Sequence, residues 1–202
     1  DVFLPVVPMF HVMAWGTPFA CAMVGTKIVF PGPHLQPRDL AELIQAEKVT
    51  FAAGVPTIWF GLLALLDKER YDLSSLRATV VGGAAAPRSM IEAFEKKHGI
   101  KILHAWGMTE TSPLGTTANL KSYQLDLPED DQFAIRAKQG TPVPLVEMRG
   151  IDEQGQEIPW DGKTFGELEV RGPWIISSYY NDERSKDSFH DGWFKTGDVV
   201  TI

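Results

Sequence analysis

The chain has 202 residues, of which 44% are hydrophobic and 22% are charged. This composition is typical of a globular protein and excludes disorder, collagen or coiled coil as a description of the whole chain. The net charge of -7, from 19 basic and 26 acidic residues, gives no support to a nucleic-acid partner. The one cysteine, Cys21, cannot form an internal disulfide, which fits a reducing compartment such as the cytoplasm.

The first 26 residues are almost free of charge. No Asp, Glu, Lys or Arg lies between Val2 and Thr26, a length that could span a bilayer. Several prolines and glycines interrupt this stretch, however, and they do not suit a membrane helix. We therefore predict a strand over Val2–Val7 and a largely buried helix over Phe10–Met23, with no integral membrane segment.

Strands and helices alternate from there to about Leu120. Short apolar runs predict strands, and apolar residues three or four positions apart predict helices. The predicted strands are Lys27–Phe30, Val49–Ala53, Ala78–Val81 and Lys101–His104. The predicted helices are Arg38–Glu47, Pro56–Lys68 and Pro87–His98. This order predicts an α/β fold with a mostly parallel sheet flanked by helices.

The pattern changes after Leu120. Residues 123–138 predict either a polar amphipathic helix or a linker, and short strands then alternate with turns. The later predicted strands are Glu147–Ile151, Gly166–Arg171 and Phe194–Ile202, with a short helical patch over Glu183–Phe189. We therefore predict an α/β subdomain over 1–122, a linker or helix over 123–139 and a small antiparallel β subdomain over 140–202.

A run of small residues follows the predicted strand Ala78–Val81. It reads GGAAAP, from Gly82 to Pro87, and leads into a helix. Without large side chains, the backbone can approach a flat ligand or an anion closely, and a helix start offers free N–H groups. The same run also suits an ordinary tight turn between a strand and a helix.

The second motif reads HAWGMTETSP, from His104 to Pro113. It follows a predicted strand, at the sheet edge where open α/β sheets bind ligands. Trp106 can stack on a base, Thr109 can donate to a phosphate, and Glu110 can bind Mg²⁺, which prefers oxygen ligands. A polar loop with a packed tryptophan is the alternative interpretation.

Two further motifs lie near the ends of the chain. In DGWFKTGD, Asp198 can accept hydrogen bonds from both hydroxyls of a ribose, or it can belong to a hairpin turn. In PMFHVMAWG, His11 and Trp15 are four residues apart and would share one face of a helix. His11 can meet a carboxylate or phosphate and Trp15 can wall an apolar cavity, unless both are simply core residues.

Five motifs in this order resemble the adenylate-forming enzymes, specifically the acyl-CoA synthetases, over essentially the whole chain. They are PMFHV, GGAAAP, HAWGMTETSP, GELEVRGPWI and DGWFKTGD. Within that superfamily the sequence is similar to medium- and long-chain fatty-acyl-CoA synthetases and to 3-methylmercaptopropionate-CoA ligases. The resemblance implies an acid–thiol ligase that makes acyl-AMP and pyrophosphate from a carboxylic acid and ATP, and then transfers the acyl group to coenzyme A. It also implies that the β subdomain is part of a distorted barrel.

The resemblance assigns roles residue by residue. Catalytic roles fall on Thr109, Glu110 and His11, with Glu110 as the ligand of Mg²⁺. The acid would contact His11 and Trp15, the latter as a gate of the acyl tunnel. The implied nucleotide-binding residues are Gly83, Ala84, Ala85, Trp106, Gly107, Met108, Thr109 and Asp198. Trp106 stands where the family usually has tyrosine, so the stacking ring is kept and the phenol oxygen is lost.

The resemblance also implies parts that this chain does not contain. A phosphate-binding loop would precede Asp1, and a small domain with the adenylation lysine would follow Ile202. We therefore expect a central part of a longer synthetase that is inactive alone, with a homodimer of the full-length enzyme as one expectation. An acyl-AMP ligase, a 3-methylmercaptopropionate-CoA ligase and a non-catalytic nucleotide- or acyl-binding fragment stay open as alternatives, and the acyl chain length is not readable from the sequence.

Overall fold

The computed structural model describes residues 1–202, except for the side chain of Arg184. The chain divides into two compact units. The first unit comprises residues 1–109 and 113–141, and the second comprises residues 110–112 and 142–202.

A seven-stranded sheet forms the centre of the first unit. Its strands are β1 (Val2–Pro5), β2 (Lys27–Ile28), β3 (Phe51–Gly54), β4 (Ala78–Val81), β5 (Lys101–Gly107), β6 (Leu114–Thr117) and β7 (Thr141–Pro142). The strand order is β2-β1-β3-β4-β5-β6-β7. Strands β1 to β5 pair in parallel, whereas β6 runs antiparallel to β5. The predicted mostly parallel sheet is confirmed.

Helices connect these strands. They are α1 (Val12–Trp15), α2 (Thr17–Val24), α3 (Pro37–Glu47), α4 (Pro56–Leu66), α5 (Arg88–His98) and α6 (Glu129–Arg136). Short 3₁₀ turns cover Thr109–Thr111 and Ser122–Gln124. Residues 123–138 are predicted as either a helix or a linker, and the helix is found over α6. Its Phe133 joins the main apolar core.

Helix α5 illustrates how sequence spacing sets the packing. Its apolar positions recur three or four residues apart, so they share one face, and Met90, Ile91 and Phe94 are fully buried. Burial of each such side chain contributes about 1.5–3 kcal/mol. Gly99 ends the helix in the left-handed conformation that glycine adopts without strain.

Of the predicted buried helix over Phe10–Met23, only the second half is helical, as α2, whereas the first half and the predicted burial are wrong. Gly16 divides the segment, and the four residues of α1 all have positive φ angles between 45° and 57°, which form one left-handed turn. Much of the segment is also exposed, with Phe10 at 92% and Met23 at 86%. Left-handed dihedrals cost non-glycine residues about 1–2 kcal/mol each, so no local preference predicts this turn.

The second unit is built on a four-stranded antiparallel sheet. Its strands are β8 (Glu147–Ile151), β9 (Gly166–Arg171), β10 (Phe189–His190) and β11 (Trp193–Val200), in the order β10-β11-β9-β8. A 3₁₀ helix over Glu183–Ser188 precedes β10. The sheet curls into half of a barrel, which confirms the predicted small antiparallel β subdomain. In the part of the chain that the structure describes, no helix is long and apolar enough to cross a bilayer.

Candidate active site

The small residues after β4 leave the backbone of the first unit open. Gly83, Ala84 and Ala85 are exposed, whereas Gly82 is buried against Trp15. A Cβ at Gly82 would lie 3.1 Å from Cη2 of Trp15 and 3.2 Å from the carbonyl oxygen of Ala105, so a side chain here would require its neighbours to shift by a few tenths of an ångström. The loop therefore exposes its backbone at the carboxyl edge of the sheet.

Trp106 lies at the end of β5 and not in a loop after it. Strand β5 extends to Gly107 because β6 pairs with it, Trp106 opposite Thr116 and Gly107 opposite Leu114. The indole is half-buried. At Gly107 a Cβ would lie only 1.9 Å from the carbonyl oxygen of Pro113, so this position excludes every side chain. The strand end thus holds Trp106 in a fixed place.

One cavity of the first unit brings most of the predicted residues together. Its empty space is about 730 Å³, the open mouth included. Six predicted site residues line it: His11, Trp15, Gly83, Trp106, Gly107 and Met108. Its lining is mostly apolar with a few polar groups, which is typical of sites for small-molecule ligands.

Sequence reasoning missed the apolar wall of this cavity. The additional lining residues are Phe3, Val12, Thr17, Phe51, Ala53, Val80, Gly82, Ala105, Pro113 and Leu114. Phe3 and Phe51 are register partners on β1 and β3, with ring centroids 5.7 Å apart. Because side chains alternate between the two faces of a strand, both rings lie on the same face of the sheet. The sequence does not indicate whether helices or a ligand cover that face.

His11 and Trp15 both line the cavity although they do not share a helical face. His11 directly precedes the left-handed turn α1 and is exposed, whereas Trp15 is the last residue of that turn and is half-buried. The interpretation of His11 as a core histidine is therefore wrong. Ala84, Ala85 and Thr109 belong to the same unit but do not line the cavity, and all three are exposed.

A residue that sequence reasoning missed holds the small-residue loop. His104 is buried in β5, and its Nε2 accepts a hydrogen bond of 3.2 Å from the backbone N–H of Ala86. Since Nε2 is the acceptor, the ring proton is on Nδ1. Burial lowers the pKa of His104, and backbone groups of Lys138, Ala137 and Ala84 act in the opposite direction. The histidine is thus kept neutral, as an acceptor must be.

Glu110 belongs to the second unit. Its carboxylate Oε1 accepts a hydrogen bond of 2.8 Å from the phenol of Tyr179, and its backbone carbonyl accepts one of 2.8 Å from the N–H of Ile176. Burial, followed by this hydrogen bond, raises the pKa of Tyr179 to about 12. The phenol therefore stays protonated and donates at any physiological pH.

Asp198 is an exposed residue of β11 in the second unit. It lies where the pairing of β11 with β9 shifts register between Lys195 and Val199. Its backbone N–H donates to Oγ1 of Thr196 over 3.1 Å. The hairpin turn proposed as the alternative is formed by Asp191 and Gly192, and Asp198 stands in the irregular strand that follows.

The chain matches a known enzyme family over most of its length. The profile of the AMP-binding enzyme family matches residues 1–180. The chain is 49% identical to a 3-methylmercaptopropionyl-CoA ligase of Ruegeria lacuscaerulensis, over 100% of this chain and 37% of that protein. It is 48% identical to a long-chain-fatty-acid–CoA ligase of Thermus thermophilus, over 99% of this chain and 37% of that protein. The chain thus spans little more than a third of the length of these relatives.

A solved structure has the same fold. The o-succinylbenzoate CoA synthetase of Bacillus subtilis, in complex with its acyl-adenylate intermediate, superposes with a TM-score of 0.80 at 28% identity. The match covers 98% of this chain and 38% of that one. Together with the five motifs and the family match over residues 1–180, this likeness establishes that the chain belongs to the AMP-binding enzyme family.

Proposed function

We propose that this chain is the nucleotide- and acyl-binding part of an ATP-dependent acyl-CoA synthetase. The observation that carries the proposal is the single cavity that collects His11, Trp15, Gly83 and Trp106 in the first unit. The exposed backbone at Gly83 and the indole of Trp106 line the same cavity, which suits a purine ring, and the apolar wall suits an acyl group. The CoA ligases among the relatives support the same activity.

In the proposed reaction, a carboxylate oxygen of the acid attacks the α-phosphorus of ATP and pyrophosphate leaves. The thiol of coenzyme A then loses its proton and attacks the acyl carbonyl, and AMP leaves with the electron pair of the broken bond. The small loop after β4 and Trp106 would hold adenine, Asp198 would accept from the ribose hydroxyls, and Thr109 would donate to a phosphate. These groups orient two anions for reaction, and positioned donors of this kind lower the barrier where charge develops.

The residues present also suit Mg²⁺. Glu110 offers a carboxylate, and Mg²⁺ bound to nucleotides commonly takes one or two protein carboxylates together with phosphate oxygens and water. Among the described residues, no group of three His, Cys, Asp or Glu side chains could hold a metal by itself. The arrangement therefore suits a metal that arrives with ATP. When bound, Mg²⁺ would lower the repulsion between the phosphates and the attacking carboxylate.

The cavity wall favours an acid with an apolar tail. Phe3, Phe51, Ala53 and Val80 line it, and none of them offers a polar side-chain group. The named relatives, a long-chain-fatty-acid–CoA ligase and a 3-methylmercaptopropionyl-CoA ligase, support a fatty acid or a thioether acid. A cytoplasmic location and a homodimer are further predictions, the latter to be checked by light scattering of the native protein.

The test is product analysis with the native protein, ATP, Mg²⁺, coenzyme A and a panel of fatty and thioether acids. We expect pyrophosphate, AMP and acyl-CoA from at least one acid with an apolar tail. Acyl-AMP without acyl-CoA would identify an acyl-AMP ligase instead. No pyrophosphate release with any acid would overturn the proposal and favour a non-catalytic binding fragment.

A further inference from the structure

The phenol of Tyr179 donates a hydrogen bond to the carboxylate of Glu110. These residues are 69 positions apart in the chain, yet Oη of Tyr179 lies 2.8 Å from Oε1 of Glu110. Nothing in the sequence motifs or in the proposed nucleotide site gives Tyr179 a role. Its contacts indicate one.

Tyr179 is itself held in place from two sides. Its ring meets the buried ring of Phe194 edge-on, with centroids 6.5 Å apart at 68°. Its backbone N–H donates to Oγ of Ser185 over 2.9 Å, and that hydroxyl donates back to the Tyr179 carbonyl over 3.3 Å. A phenol with so little freedom loses little entropy when it binds a partner, so it is well suited to fix a carboxylate.

The same segment also holds the main chain of Glu110. Ile176, three residues before Tyr179, donates its backbone N–H to the carbonyl of Glu110 over 2.8 Å. Main chain and side chain of Glu110 are therefore anchored by one short stretch of the second unit. With Oε1 engaged by the phenol, the direction of Oε2 is set as well, because the carboxylate is planar and rigid.

We propose that Tyr179 is a positioning residue that orients the Glu110 carboxylate so that its second oxygen receives the Mg²⁺ that accompanies ATP. This inference rests on the proposed function, because it takes Glu110 as the metal ligand. Tyr179 does not touch the metal or the reacting atoms in this scheme. A neutral phenol donates a hydrogen bond without adding charge, so it orients the carboxylate without neutralising it.

The experiment compares Tyr179→Phe with Tyr180→Phe in the native protein. Phe keeps the ring that packs on Phe194, so the variant is expected to fold, and Tyr180 is a matched control because it is 94% exposed. The first readout is the affinity for Mn²⁺, measured by electron paramagnetic resonance in the presence of a non-hydrolysable ATP analogue. The second is the Mg²⁺ concentration that gives half-maximal ATP–pyrophosphate exchange.

We expect Tyr179→Phe to weaken metal affinity about tenfold, the equivalent of about 1.4 kcal/mol. Tyr180→Phe should leave it unchanged. In a Glu110→Gln background, Tyr179→Phe should have no further effect on metal affinity, because its partner carboxylate is gone. An unchanged metal affinity in Tyr179→Phe, or an equal loss with and without Glu110, would overturn the inference.

The two proposals fail in different ways. If the native protein binds no nucleotide analogue in a metal-dependent way, the proposed function is wrong. If the native protein binds it normally and Tyr179→Phe matches the native protein, only the role of Tyr179 is wrong. Should Tyr179→Phe unfold, Ser185→Ala takes its place, because it frees the Tyr179 backbone but keeps the phenol. We expect this variant to bind the metal more weakly than the native protein does, and an unchanged metal affinity would overturn the inference.

Discussion

Replacement of His104 by leucine tests how the small-residue loop is held. The imidazole is 1% exposed, and its Nε2 accepts the 3.2 Å hydrogen bond from the N–H of Ala86. Leucine fills a similar volume but accepts no hydrogen bond. The Ala86 N–H would then stay buried without a partner, which costs about 1–3 kcal/mol.

This cost translates into a measurable rate. At about 1.4 kcal/mol per factor of ten, the Ala86 amide should exchange its hydrogen about 5- to 150-fold faster in His104→Leu than in the native protein. Hydrogen exchange followed by mass spectrometry or NMR measures this directly. Affinity for ATP should also fall, since the loop that would contact adenine becomes less ordered.

His104→Gln is the matched control, because a Gln side chain can place its amide oxygen near the position of Nε2 and accept the same hydrogen bond. It should restore slow exchange at Ala86. The reasoning would be refuted if Ala86 exchanged at the native rate in His104→Leu, or if Gln and Leu behaved alike.

The His104 pKa also predicts a pH dependence of stability. Because burial lowers the pKa of His104, the unfolded chain binds a proton at a higher pH than the folded chain does. Stability is therefore complete above the unfolded value of about 6.5 and declines as the pH falls below it. Urea unfolding between pH 7 and 5 should show a steeper loss for the native protein than for His104→Gln. Equal slopes would contradict the assigned cause.

Two further substitutions, one in each unit, test a close backbone contact and a buried ion pair. Gly107→Ala forces a Cβ against the carbonyl of Pro113, so urea unfolding should show a loss of about 1–3 kcal/mol or more. The variant should also bind an ATP analogue more weakly. Unchanged stability would contradict the close approach. Glu169→Gln breaks the buried ion pair with Arg149, at 2.6 Å, and should lower the free energy of unfolding by about 3–5 kcal/mol. Glu147→Gln, at the exposed ion pair with Arg171, is the control and should change it little. Equal effects would refute the role of burial.

Much of the first unit could be predicted from local patterns. Strands of this sheet are short apolar runs, and helices such as α5 carry their buried residues at regular spacing, so both are visible in the sequence. The left-handed turn α1 could not be predicted. Its dihedrals are unfavourable for each of its residues taken alone, and only the surrounding structure can maintain them.

Some site residues could likewise be predicted from local patterns, and others could not. Gly83 and Trp106 follow predicted strands, so the topology of a parallel sheet brings them to one edge, and both line the cavity. His104 and Tyr179 were missed because their roles depend on single hydrogen bonds to residues 18 and 69 positions away. No periodicity encodes such a pair. The assigned roles of Thr109, Glu110 and Asp198 stay predictions that binding and activity measurements can test.

The central claim is that the cavity beside Trp106 holds the adenine of an acyl-adenylate, with the acyl tail along the apolar wall. Calorimetric titration of the native protein and of Trp106→Ala with a non-hydrolysable alkyl-sulfamoyl adenosine tests it most directly. Loss of base stacking, worth about 1–3 kcal/mol, should weaken binding about 5- to 150-fold in Trp106→Ala. Equal affinity of the two proteins, or no binding by the native protein, would contradict the account.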